Sequence, residues 1–182
     1  MANQAFLLPA AGAPAHARLR SMVDAHLDSV WRALRRLGVP EAQVDDATQQ
    51  VFMVASRRLA EIEVGRERPY LLGVALRVSS EARRASQRRR EVPMADGPEG
   101  MTAQACSPDQ LLDEKRALQA LQAVLDELPP DLRETFVLFE LEELSAPEVA
   151  SVVGVPVGTV ASRVRRARVA VREALTRARR DP

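Results

Sequence analysis

Apolar residues recur every three or four positions through most of the chain, the spacing that stripes one face of an α-helix. Between Leu19 and Leu37 the stripe is Leu27, Val30, Trp31, Leu34 and Leu37, with Trp31 read as core, and Gly38-Val39-Pro40 closes the segment as a helix stop. A second helix is expected from Glu41 to Leu59 on Val44, Ala47, Val51, Val54 and Ala55, with Asp45 and Asp46 near its positive N-terminus. A third runs from Tyr70 to about Arg90 with Leu71, Val74, Ala75 and Val78 inward. The period is then lost in EVPMADGPEGMTAQACSP, where Pro and Gly recur, so Glu91 to Pro108 reads as a linker. It returns in a long helix from Leu111 to Leu128, which Pro129-Pro130 must end, and in a further one from Leu132 to Leu144. Ser145 with Glu148 three residues on forms a capping-box pattern before EVASVV; Gly154 interrupts the period and Pro156 restarts it. No strand pattern competes.

The expected fold is therefore all-α, two small helical domains joined by a flexible linker: a disordered N-terminus over 1–18, a first domain over 19–90, the linker over 91–108 and a second domain over 109–180. A chain of 182 residues is long enough for two such units, and an aromatic content of 3% leaves their cores to Leu, Val and Ala. The single cysteine, Cys106, excludes an internal disulfide, and it reads as an incidental thiol beside the alternative of a redox role. No basic n-region precedes an apolar run, and no stretch approaches ~20 apolar residues, so the expected setting is cytoplasmic without membrane insertion.

Charge changes the picture once it is divided along the chain. Arg66 to Arg90 holds eight arginines against two glutamates and Val157 to Arg180 eight against one, whereas Asp109 to Glu148 holds eleven acids against three bases. Two basic blocks and an acidic one in a chain of net charge +1 suggest separate surfaces for separate partners. The second basic block sits on a helix-turn-helix pattern. Val149, Ala150 and Val153 face inward from a short helix, Gly154 supplies a permissive turn, and Val155 and Val160 plug the gap. On the second helix Val160, Val164, Ala167, Val171 and Leu175 form one stripe; Gly158, Ala161, Ser162, Arg165, Arg166, Val169 and Arg172 lie opposite. A face that is small at its start and cationic further on suits entry into a DNA groove, where arginine reaches phosphates or guanine edges.

LPPDLRETFVLFELEELSAPEVASVVGVPVGTVASRVRRARVAVREAL resembles the fourth conserved region of bacterial extracytoplasmic-function (ECF) sigma factors of the sigma-70 family, through Leu128-Pro129, Arg133, Glu148 to Ala150 and Gly154 to Arg168. The resemblance implies minus-35 DNA contacts by Thr159, Ser162, Arg163, Arg165 and Arg166, and contact with the polymerase beta flap. VDDATQQVF is similar to the family's helix that docks on the beta-prime clamp, implying core-polymerase contacts by Asp46, Gln49 and Phe52. RPYLLGVALRVSSEARRASQRRR is similar to the helix that binds and melts the minus-10 element, implying Tyr70, Arg77, Arg83, Arg84 and Arg88 as contacts. Ala161, Tyr70, Arg77 and Glu81 depart from the commoner family residues. Tyr70 reads as a stacking platform or as a core tyrosine, and both stay open. An anti-sigma factor is implied by the resemblance alone.

The implied function is that of a sigma factor directing core polymerase to promoters, with no catalytic chemistry, cofactor or metal of its own. His16 and His26 lack partners at metal spacing, and no Gly-rich phosphate loop or Ser/His/Asp set is present. Two other readings remain: an autonomous helix-turn-helix regulator, and a sigma-like scaffold that has lost promoter function.

Overall fold

The computed structural model describes residues 13–90 and 108–178, with side chains over 14–85 and 117–177; the expected linker over 91–108 lies outside the described residues except for Pro108, which begins a helix. The chain forms seven α-helices over that span: α1 (Ala13–Arg36), α2 (Glu41–Arg57), α3 (Glu67–Arg90), α4 (Pro108–Asp126), α5 (Pro130–Phe136), α6 (Ala146–Val153) and α7 (Val157–Ala178). The first begins before the expected residue 19, so residues 13–18 are helical rather than disordered. Arg18 explains the extension: its guanidinium donates to the Leu59 and Ile62 carbonyls at 3.0 and 2.6 Å and pairs with Glu67 at 3.2 Å. A one-turn 3₁₀ segment, Leu59–Glu61, follows α2. The helix expected from Leu132 to Leu144 is instead α5 followed by a π-helical turn, Val137–Leu141, and the chain then turns at Glu143 with φ 52.

α1 ends as Gly38 demands. At φ +98 it occupies backbone space closed to most L-residues, and Val39 N–H reaches back to the Leu34 carbonyl at 3.0 Å. Leu34, Val44, Val51, Phe52, Leu71 and Val74 then close a core among α1, α2 and α3. Trp31 lies at its edge, half-buried, with its indole N–H donating to Asp45 at 2.9 Å.

A second core does not stay within the C-terminal helices. Leu125, Leu132, Val137, Leu138, Val149, Val160 and Val164 enclose it, but Ala33 and Leu37 of α1 and Leu72 and Leu76 of α3 belong to it as well. Each leucine buried there contributes roughly 1.5–3 kcal/mol relative to exposure. The two helical groups accordingly share an apolar junction, which the separate domains expected from the sequence would not need.

Candidate nucleic-acid and polymerase interfaces

The helix-turn-helix is assembled by local rules. Glu148 accepts from the backbone N–H of Ser145 at 2.9 Å and from its hydroxyl at 2.6 Å, closing the capping box that starts α6. These hydrogen bonds hold the Glu148 carboxyl below its ordinary value. Gly154 terminates α6 in the left-handed region at φ 74, and the Pro156 carbonyl accepts the first bonds of α7 from Thr159 and Val160. Val160, Val164 and Ala167 are buried, as the period predicts. Beyond them the stripe changes sides: Ala174 is buried and Leu175, expected inward, is 42% exposed.

The outer face of α7 sorts its arginines into two kinds. Arg163 is half-buried and pairs with Asp131 of α5 at 3.4 Å; Arg168 pairs with Glu140 at 2.6 Å, and Arg177 with Glu127. Arg165 and Arg166 are exposed and have no carboxylate within ion-pair distance among the described residues. Ser162 is exposed and donates to the Thr159 carbonyl at 2.9 Å; Thr159 itself is half-buried. Of the five residues expected as minus-35 contacts, Ser162, Arg165 and Arg166 are exposed, Thr159 is half-buried and Arg163 is paired with Asp131 of α5.

On α3, Tyr70, Gly73, Arg77 and Arg84 fall on one face at 100° per residue. Arg77 and Arg84 are exposed, and Tyr70 is half-buried against the first core with a buried hydroxyl that has no hydrogen-bond partner. Arg83 points elsewhere, donating to the Leu37 carbonyl at 2.7 Å and to Glu134 at 2.6 Å. The Arg88 side chain lies outside those described. On α2, Asp46 and Gln49 are exposed, but Phe52 is 2% exposed inside the first core. Burial corrects its role: Phe52 fixes the helix that presents Asp46 and Gln49 and cannot itself touch a partner.

Glu142, Arg133 and Arg83 organise the junction between the two helical groups. Glu142, 2% exposed, accepts from Ser29 at 3.0 Å, Arg36 at 2.8 Å and Arg68 at 3.4 Å, all from the N-terminal helices. Arg133, 6% exposed, donates Nε–H to the Arg36 carbonyl at 2.6 Å and pairs with Asp126 at 2.7 Å. With Arg83 it grips the carbonyl end of α1, where cations suit the helix dipole, and a Cβ on Gly38 would stand 3.1 Å from Arg133 Nη1. Burial lowers the Arg133 pKa, while Asp126 opposes that shift. Nothing in FELEEL distinguishes Glu142 from the acids beside it, because its partners lie 74 to 113 residues away.

Among the described residues no group of His, Cys, Asp or Glu is placed to hold a metal ion, and no helix is long and apolar enough to cross a membrane. Residues 118–171 match the family described as Sigma-70, region 4. The ECF RNA polymerase sigma factor SigE of Mycolicibacterium smegmatis is 30% identical over 86% of this chain and 61% of its own length. The chain thus spans less than two thirds of that relative. RNA polymerase sigma factor NccH of Alcaligenes xylosoxydans xylosoxydans is 31% identical over 81% of both proteins, and the ECF RNA polymerase sigma-E factor of Escherichia coli is 32% identical over 73% of this chain and 74% of its own. Two solved structures share the fold: CnrH in complex with the cytosolic domain of CnrY (TM-score 0.67, 24% identity, 88% of this chain and 89% of that one), and RpoE in complex with the anti-sigma factor NepR from Bartonella quintana (TM-score 0.67, 22% identity, 87% and 97%). With relatives at this identity and coverage, and a helix-turn-helix built as its sequence requires, the chain belongs to the ECF RNA polymerase sigma factors of the sigma-70 family.

Proposed function

We propose that this sigma factor binds core polymerase through the exposed face of α2 carrying Asp46 and Gln49, with a further contact on the beta flap, and recognises promoters through two helices. The outer face of α7 reads duplex DNA at the minus-35 element through Ser162, Arg165 and Arg166. The face of α3 carrying Tyr70, Arg77 and Arg84 takes the minus-10 strand once it opens. The chain contributes no chemistry; it works in the cytoplasm by making two weak DNA contacts effectively intramolecular on the polymerase.

The observation that carries this reading is the division of arginines on α7. Three are neutralised by neighbouring carboxylates, whereas Arg165 and Arg166 at the centre of the outer face, and Arg172 further along it, have no carboxylate within ion-pair distance among the described residues. A helix face serving only solvation has no need of that arrangement, whereas one entering the major groove does. An anti-sigma partner is part of the proposal, supported by the neighbour of like fold solved in complex with the anti-sigma factor NepR.

The test is reconstitution with bacterial core polymerase on a genomic DNA library, sequencing transcripts that start only when this protein is added. Starts clustered downstream of a common pair of elements are expected. A chain that binds core polymerase and never redirects initiation would sink the proposal in favour of a scaffold.

A further inference from the structure

The leading end of α7 exposes almost no side-chain group able to form a hydrogen bond. Its first two turns expose Val157, Gly158, Ala161 and Ser162, while Thr159 is half-buried and Val160 lies in the core. The Ser162 hydroxyl already donates to the Thr159 carbonyl. Val157 is 47% exposed, and the buried stripe of the helix begins only at Val160, so packing does not account for it. Helix formation does not account for it either, since a β-branched residue in an exposed first turn is a poorer helix former than Ala or Glu. Ala161 follows one turn later, and residues four apart are neighbours on a helix surface, so the two side chains form one apolar patch. Beside it the surface is open: a Cβ added at Gly158 would meet nothing within 4 Å.

The geometry points to Val157, with the Ala161 methyl beside it, as the residue that makes this chain select thymine in the upstream element. The inference rests on the assignment of the outer face of α7 to duplex DNA and adds the base chemistry that this end of the helix can read. Recognition helices present their N-terminal residues to base edges. The donors and acceptors displayed in the major groove need polar partners, and covering one with Val157 would leave it unpaired. The thymine 5-methyl is the group there that gains from an apolar neighbour. Arg165 lies eight residues beyond Val157, about 12 Å along the axis and roughly the width of the groove. With the valine over the base pairs, Arg165 and Arg166 reach flanking bases or the phosphates at the groove wall. One face thus divides the work, the arginines supplying attraction and the valine and alanine supplying choice.

The test replaces the thymines of an upstream element, one at a time and on either strand, by deoxyuridine, which pairs as thymine does and lacks only the methyl group. The duplex is a promoter recovered with the holoenzyme from the genomic library, and binding of the full-length chain on core polymerase is read by titration. The native chain is expected to lose about three- to fivefold in affinity at one or two positions, the effect of withdrawing one methyl from an apolar contact. In the Val157→Ser/Ala161→Ser variant the thymine and uracil duplexes should bind alike at those positions, with a melting temperature close to native because both residues are exposed. Arg165→Ala should weaken both duplexes equally and leave their ratio unchanged, a split that general damage to the helix would not give. An upstream element without thymine, or equal binding of thymine and uracil at every position by the native chain, overturns the inference, as does a ratio that persists in the double variant. A missing methyl effect beside an intact arginine effect strikes this inference alone. If neither Arg165→Ala nor Arg166→Ala changes binding to the upstream duplex, the assignment of α7 has failed and the inference falls with it.

Discussion

Arg83 donates to Glu134 at 2.6 Å, joining a residue of the first basic block to the acidic stretch that follows the linker. Its other amino group caps the Leu37 carbonyl at 2.7 Å, so one side chain ties α3, α5 and the end of α1 together. Arg83→Ala and Glu134→Ala are therefore not independent. A double-mutant cycle read by urea unfolding is expected to give a coupling of about 1 kcal/mol, within the range found for touching residues. Additive effects would show the pair to be unformed in solution.

The arginines of α7 are expected to separate by phenotype as they do by geometry. Arg165→Ala and Arg166→Ala should leave unfolding within about 0.5 kcal/mol of the native chain, as surface changes do. Each should weaken holoenzyme binding to the upstream duplex by about 1–3 kcal/mol where it reads a base edge, or lower the salt slope by about one where it holds a phosphate. Arg163→Ala should do the reverse, with a stability loss of up to about 1 kcal/mol from the missing Asp131 pair and a smaller effect on DNA. Titrations at several salt concentrations beside thermal melts distinguish the three.

These assignments also show what can be read from the sequence and what cannot. Local rules carry far: the capping box at Ser145, the left-handed Gly154 and the buried Val160, Val164 and Ala167 follow from spacing within a turn or two. What escapes them has one cause, which is distance along the chain. Leu72 and Leu76 look like ordinary members of an α3 stripe, and only the fold shows that they face the C-terminal helices. Glu142 depends on partners 74 to 113 residues away and Arg133 on the Arg36 carbonyl 97 residues away, and no periodicity encodes that. Phe52 reads as a contact because it sits in a motif, although its burial makes it a support for that motif. Arg163 is a similar case, since the Asp131 that engages it belongs to another helix.

Glu148 gives a pH dependence with a definite sign. Ser145 side-chain and backbone hydrogen bonds, aided by Arg66 and Arg68, hold its carboxyl below the ordinary 4.5 against the opposing effect of burial. A folded-state value below the unfolded one stabilises fully above the unfolded value, and that contribution is lost as pH falls through the folded value. Glu67 is shifted the same way, chiefly by its own backbone hydrogen bond, so both contributions fade below about pH 4.5. Glu148→Gln keeps an acceptor for Ser145 and removes the charge, so it is expected to cost roughly 0.3–1 kcal/mol at neutral pH, the effect of an anion near a helix N-terminus. The gap between native and variant melting temperatures should narrow as the pH is lowered past that point, and a constant gap would refute the assignment.

Gly154 isolates a backbone effect. Its φ of 74 lies in the left-handed region, and no atom stands within 4 Å of where a Cβ would be, so Gly154→Ala meets strain without collision. The expected loss is about 1–2 kcal/mol, the cost of that conformation for an L-residue. Gly158→Ala, also in open space but on α7 with ordinary φ, serves as the control and should not destabilise. Equal losses at the two sites would mean that the turn differs from the one described.

Phe52 and Gln49 lie three residues apart on α2 and should part company completely. Phe52 fills the first core, so Phe52→Ala leaves a cavity expected to cost about 3–5 kcal/mol and to lower every activity together with the folded fraction. Gln49 is exposed, so Gln49→Ala should melt with the native chain, and weaker binding to core polymerase would then report a docking side chain removed from an intact fold. Fluorescence-detected binding to core polymerase, run beside chemical unfolding of each variant, separates the two effects. Undiminished binding by Gln49→Ala together with Asp46→Ala would move the docking surface off this face of α2, because these are the residues of the motif that the fold leaves free to be touched.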